Sequence, residues 1–136
     1  MLDLNSYNYT IIRVVPRVER EEFINVGVIF SCPSKNFLEA IIALDEQRLK
    51  LLDPAVDMAC VRAHLDAICT ICAGGELAGP IGKLTQRERF HWLSAPRSTI
   101  IQVSAVHTGL CKDPTAALKE LAGKMVRPLR DAAPTA

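Results

Sequence analysis

Hydrophobic and polar positions along this chain fall first into short β-like blocks and then into longer stretches with helical spacing. Residues 7–15, Tyr-Asn-Tyr-Thr-Ile-Ile-Arg-Val-Val, are rich in aromatic and β-branched side chains and are closed by Pro16, which predicts a first strand. The charged stretch 17–22 leads into Phe23-Ile-Asn-Val-Gly-Val-Ile-Phe-Ser, a second strand with Gly27 inside it, where a missing side chain marks a bulge or a close backbone neighbour. Pro33-Ser-Lys-Asn36 predicts a turn, and residues 37–44 return as a third strand. The opening third of the chain therefore reads as an antiparallel meander.

Helical spacing takes over after residue 44. Asp45 caps a short helix ending near Leu52, and Asp53-Pro54 predicts the start of a longer one, since Asp accepts free amides at a helix start and Pro has none to satisfy. Within it Met58, Val61, Leu65, Ile68 and Cys72 recur at spacings of three and four, and Gly74-Gly75 supplies the stop. Residues 79–82, Gly-Pro-Ile-Gly, read as a loop. Thr85-Gln-Arg-Glu88 has the capping-box pattern and predicts a helix over 86–94 that buries Phe90 and Leu93. Ala95-Pro96 ends it, residues 99–106 predict a fourth strand, and Asp113-Pro114 repeats the cap-plus-proline start for a last helix carrying Leu118, Leu121 and Met125. The expected fold is a single α+β domain over 1–127, a mostly antiparallel sheet of about four strands with helices packed on one face, followed by a flexible tail over 128–136.

Composition narrows the class. The 136 residues are 49% hydrophobic and 23% charged, which excludes a charge-rich disordered chain, and no apolar run approaches the roughly 18 residues of a membrane-spanning helix. The start lacks a basic segment followed by an apolar one, so neither a secretory signal nor a transit peptide is expected. A net charge of +1 provides no overall field toward nucleic acid or an anionic membrane. The five cysteines are odd in number and show no framework spacing, which fits reduced thiols and a cytoplasmic location.

The densest candidate chemistry lies in Arg97-Ser-Thr-Ile-Ile-Gln-Val-Ser-Ala-Val-His-Thr-Gly109. Arg97, Ser98, Thr99, Gln102, Ser104, His107 and Thr108 stand among its apolar residues, and polar groups in a strand must be solvated, paired or turned toward a ligand. Histidine is the residue type most often used for proton transfer, and His107 is the one catalytic candidate, although no nucleophile accompanies it. Ser98 lacks the glycine-flanked turn of a nucleophile elbow. Glu22 and Asn25 form a second polar insert, and if their strand neighbours the fourth they converge with Gln102 and His107. Between Lys83 and Arg97 the cations Lys83, Arg87, Arg89 and Arg97 outnumber Glu88, and the interleaved Phe90, His91 and Trp92 could stack bases; a solvated helix face with core aromatics is the blander reading. Cys69-Thr-Ile-Cys72 with Cys60 and His64 suggests zinc, but one regular helix does not supply a four-ligand shell, so these read as structural thiols. No phosphate loop, acid pair or zinc-protease motif is present, and neither a metal nor any other cofactor is expected.

Three ordered blocks carry a resemblance: Tyr9-Thr-Ile-Ile-Arg-Val-Val-Pro16, Glu22-Phe-Ile-Asn-Val-Gly-Val28, and Ala95-Pro-Arg-Ser-Thr-Ile-Ile-Gln-Val-Ser-Ala-Val-His-Thr-Gly109. Over 7–126 the chain resembles a bacterial family of small proteins known only as a domain of unknown function. The family pattern commonly has Gly before Glu22 and Pro in place of Ala105, and this chain departs at Glu21 and Ala105. The resemblance implies no activity, but it implies a neighbouring HipA-like kinase as protein partner. The expected function is thus a noncatalytic accessory, regulatory or antitoxin-like partner of that kinase-like protein, using Glu22, Asn25, Arg89, Arg97, Ser98, Thr99, Gln102, Ser104, His107 and Thr108 as its surface. The alternative is a small nucleotide- or RNA-binding or processing protein in which Arg89 and Arg97 hold phosphate and His107 moves a proton; salt-sensitive binding would mark it.

Overall fold

The computed structural model describes residues 3–97 and 99–128. Strand β1 (Asn5–Val14) is its centre. On one side it pairs antiparallel with β2 (Ile24–Cys32), which pairs in turn with β3 (Phe37–Ile42). The β1–β2 register shifts between Ile12 and Arg13, opposite Gly27 and Asn25. Gly27 is required there, because a β-carbon would sit 2.7 Å from the Ile41 carbonyl oxygen and 2.9 Å from Ile12 Cδ1. The expected bulge and the expected close approach occur together.

The other edge of β1 is shared by two short strands. β4 (Ile101–Val103) covers Ile12 to Val14, and β5 (His107–Cys111) covers Asn5 to Tyr9. The single fourth strand expected over 99–106 is therefore shorter, and residues 107–111, beyond its expected end, form a further strand. Ser104 makes the break possible. Its N–H donates to Ile11 O at 2.9 Å and its hydroxyl accepts from Ile11 N at 2.8 Å, so a side chain keeps the ladder paired where the backbone turns away.

Helices α1 (Glu46–Leu52), α2 (Met58–Ala73) and α3 (Gln86–Leu93) follow the meander, and α4 (Pro114–Met125) closes the chain. Asp45, Thr85 and Asp113 cap as expected, Thr85 and Glu88 forming a reciprocal capping box. The start expected at Asp53-Pro54 moves to Met58. Asp53 is taken up as the C-cap of α1 and accepts from Ala55 N, while Asp57 accepts from Cys60 N and caps α2. Residues 76–83, read as containing a loop, form Glu76–Lys83, a 3-10 segment kinked at Gly79.

Alternation along the strands separates two apolar faces. Ile12, Val14, Ile24, Val26, Ile29 and Leu38 pack against Val61, Leu65, Ile68 and Ile71 of α2 and Phe90 and Leu93 of α3. Ile11, Val28, Phe30 and Cys32 pack against Leu118 and Ala122 of α4. The α+β class and the antiparallel sheet are as expected. Packing on one face describes α2 and α3, while α4 covers the opposite face. Each fully buried aliphatic or aromatic side chain contributes about 1.5–3 kcal/mol, so both layers hold the sheet. Of the tail expected over 128–136, residues 129–136 lie outside the described residues. Among the described residues no helix is long and apolar enough to cross a membrane.

Candidate functional site

The capping box fixes where α3 begins, and the next residue to matter is Arg89. It is 8% exposed and turns inward, donating from Nη1 to the Ile71 and Cys72 carbonyls at 3.0 and 2.9 Å and from Nε to Leu84 O at 3.2 Å. Ile71 and Cys72 belong to the last turn of α2, where carbonyls run short of intrahelical donors; Ile71 O also accepts from Gly74 N at 3.1 Å, and a cation there complements the helix dipole. Gly74, at φ 75°, ends α2 directly against the guanidinium: a β-carbon would lie 2.6 Å from Arg89 Nη1. Arg89 is a structural cap.

One turn later the same helix opens to solvent. Trp92 is 38% exposed and Arg97 lies over its ring, with Cζ 4.1 Å from the centroid and Nη2 donating to Trp92 O. Beneath them runs a cleft of about 280 Å³ between α2, α3 and β4, with a largely apolar floor of Ile68, Ile71, Leu93, Ile101 and Val103. Its mouth carries His64, Trp92, Arg97, Thr99 and Gln102, and among the described residues no carboxylate lines it. Thr99 Oγ1 donates to Ile101 O and Gln102 Nε2 donates to Thr99 O, each at 2.9 Å, so the connection into β4 is held by its own side chains. His64 Nδ1 lies 2.9 Å from the Cys60 carbonyl, which orients the ring.

The structure thus brings Arg97, Thr99 and Gln102 together and distributes the other candidates elsewhere. Ser98 lies outside the described residues. Ser104 is buried in the β1 ladder, also donating to Ala105 O at 2.9 Å. His107 is exposed, its ring 5.3 Å from that of Tyr9, and Thr108 Oγ1 donates to Asn8 Oδ1 at 2.9 Å. Glu22 pairs with Arg20 at 2.6 Å, and that hydrogen bond holds its carboxyl below the usual range. Asn25 Nδ2 donates to Met125 O at 2.9 Å and ties β2 to the end of α4. Strand β1 lies between β2 and β4, so Asn25 and Gln102 flank Arg13 from opposite sides, while His107 stands opposite Tyr9, four residues away. Arg13 stacks on Phe23 with Cζ 4.3 Å from the ring centroid.

The thiols show no ligand arrangement. Among the described residues no group of three His, Cys, Asp or Glu side chains could hold a metal. Burial pushes the Cys72 thiol up to about 12, and Cys111 is raised by burial first and by Cys32 beside it.

Sequence reasoning did not place His64, Ile68, Ile71 and Val103 in one cleft. The signal available was the single tryptophan at the end of a capped helix, followed closely by Pro96 and Arg97. No curated protein and no solved structure matches the chain. A family model described as "Protein of unknown function (DUF3037)" matches residues 9–126, nearly the full extent over which the blocks around Tyr9, Glu22 and Ala95 resemble a family, and the chain belongs to this family.

Proposed function

We propose that this chain is a noncatalytic accessory protein that binds a partner protein through the cleft under Trp92 and Arg97. The observation that carries the reading is the pairing of an exposed tryptophan and a stacked arginine over an apolar cleft, since these two residue types dominate binding hot spots. Support also comes from the polar groups elsewhere. Arg89, Ser104, Thr108 and Asn25 are engaged within the fold, which favours a structural role for much of the polar sequence over a phosphate or proton-transfer site. The partner proposed is the kinase-like protein that the family resemblance implies.

Co-expression with that protein, nuclease treatment and affinity capture test the reading. Equimolar co-elution is expected with the natural chain and loss of it with Trp92→Ala. Failure to co-elute, or co-elution indifferent to Trp92→Ala and Arg97→Gln, overturns it. Retained RNA, released as salt is raised, would replace it with the nucleic-acid reading.

A further inference from the structure

The cleft is bordered by an open strand edge. The hydrogen bonds Val15 N to Ile100 O at 2.7 Å and Ser104 N to Ile11 O at 2.9 Å fix the β1–β4 ladder, in which residues 100, 102 and 104 direct their main-chain groups toward β1. Ile101 and Val103 therefore direct their N–H and C=O groups away from β1, while their side chains line the cleft. Among the described residues no strand lies beyond β4. One of these outward groups is satisfied locally, because Thr99 Oγ1 donates to Ile101 O. The rest form the edge that an added strand would use.

Size and charge describe the occupant further. A volume of about 280 Å³ accommodates one or two apolar side chains and lies just below the usual span of small-molecule pockets, roughly 300–1,000 Å³. The titratable groups lining it are His64 and Arg97. Glu88, one turn before Trp92, has its carboxylate committed to Thr85 N at 3.0 Å. Arg97 donates from Nη2 to Trp92 O and holds its guanidinium over the indole at the cleft mouth.

Resting on the partner-binding reading above, we infer that the cleft takes an extended acidic segment of a protein chain. That segment adds as a strand to the outer edge of β4, inserts an apolar side chain onto Ile68, Ile71, Ile101 and Val103, and sets a neighbouring carboxylate on Arg97. The backbone supplies hydrogen bonds, the cleft selects the apolar residue, and the guanidinium selects the charge.

Trp92 is the only tryptophan, so its fluorescence reports on this site alone. The probe is acetyl-Asp-Glu-Leu-Glu-Asp-amide titrated into the full chain at low salt. A saturable change with a dissociation constant below about 1 mM is expected, a weak but measurable affinity for so short a segment. Binding at least tenfold weaker is expected for the Asn-Gln-Leu-Gln-Asn counterpart, for the peptide with Gly in place of Leu, for the peptide N-methylated along one edge, and for the Arg97→Gln protein, whose folding is checked by its melting curve. Equal affinity for the uncharged or the glycine peptide overturns the inference. So does tighter binding of octanoate than of the peptide, which would make a free carboxylate the occupant, or no saturable change below about 10 mM. Should these peptides fail while the kinase-like protein still co-elutes in a Trp92-dependent manner, the segment chemistry falls and the docking surface stands; absence of co-elution brings down the broader reading.

Discussion

Arg89 within α3 and Arg97 just beyond its end are used in opposite ways. At Arg89 the guanidinium is withdrawn from solvent and shared among two carbonyls at the end of α2 and the Leu84 carbonyl just before α3. At Arg97, just beyond the helix, it lies on an exposed indole at the mouth of an apolar cleft and makes one hydrogen bond back to the chain. The same side chain is scaffold in one place and, in the proposed reading, recognition surface in the other, and the difference comes from what surrounds it. Helix-end carbonyls short of donors draw Arg89 in, whereas Arg97 follows a proline after the helix has ended and lies on the tryptophan beside it.

Arg89→Met breaks this comparison most strongly. It removes the side-chain donor to the Cys72 and Leu84 carbonyls and leaves Ile71 O with Gly74 N alone, and it should cost about 3 kcal/mol in urea unfolding. Ser104→Ala tests whether another of the polar candidates is also scaffold. With Ile11 N deprived of its acceptor, a loss of about 1–2 kcal/mol is expected, with no change in partner capture. Arg97→Gln is the converse case: its stability should stay within about 0.5 kcal/mol of the natural chain while partner binding falls.

The smallest effect sharpens the account of how α3 is placed. Hydrogen bonds from Thr85, first from its backbone, hold the Glu88 carboxyl below its ordinary value of 4.5. A carboxyl whose folded-state value is depressed contributes stability above the unfolded value and loses it as pH falls through the folded one. Melting temperature should therefore decline from about pH 4.5 downward, in the same window as the Arg20-held Glu22, and Glu88→Gln should flatten part of that decline.

Much of this fold is legible in the residues because local chemistry decides it. Tyr7 to Val15, Gly27, the Thr85 box and Asp113-Pro114 each announce their element through side-chain shape, a missing β-carbon or a cap. What was not legible depended on long-range pairing. Ser104 reads as one polar residue in a strand until it is set against Ile11, 93 residues earlier, and only then is it a ladder patch dividing β4 from β5. The side taken by α4 was hidden for a similar reason. Strands buried on both faces, as β2 is, show little polar alternation to say which face a helix will cover. The cleft draws on α2, α3 and β4, so its floor could not be assembled from any one segment's spacing.

The most direct test of the division between scaffold and surface is calorimetric titration of the proposed kinase-like partner into the natural chain, Arg97→Gln and His107→Ala, with His107 exposed on the α4 side of the sheet opposite Tyr9. The account predicts that Arg97→Gln weakens binding at least tenfold with its melting temperature unchanged, and that His107→Ala binds as the natural chain does. Weakening by His107→Ala with Arg97→Gln unaffected would place the partner surface on the β5 strand and contradict it.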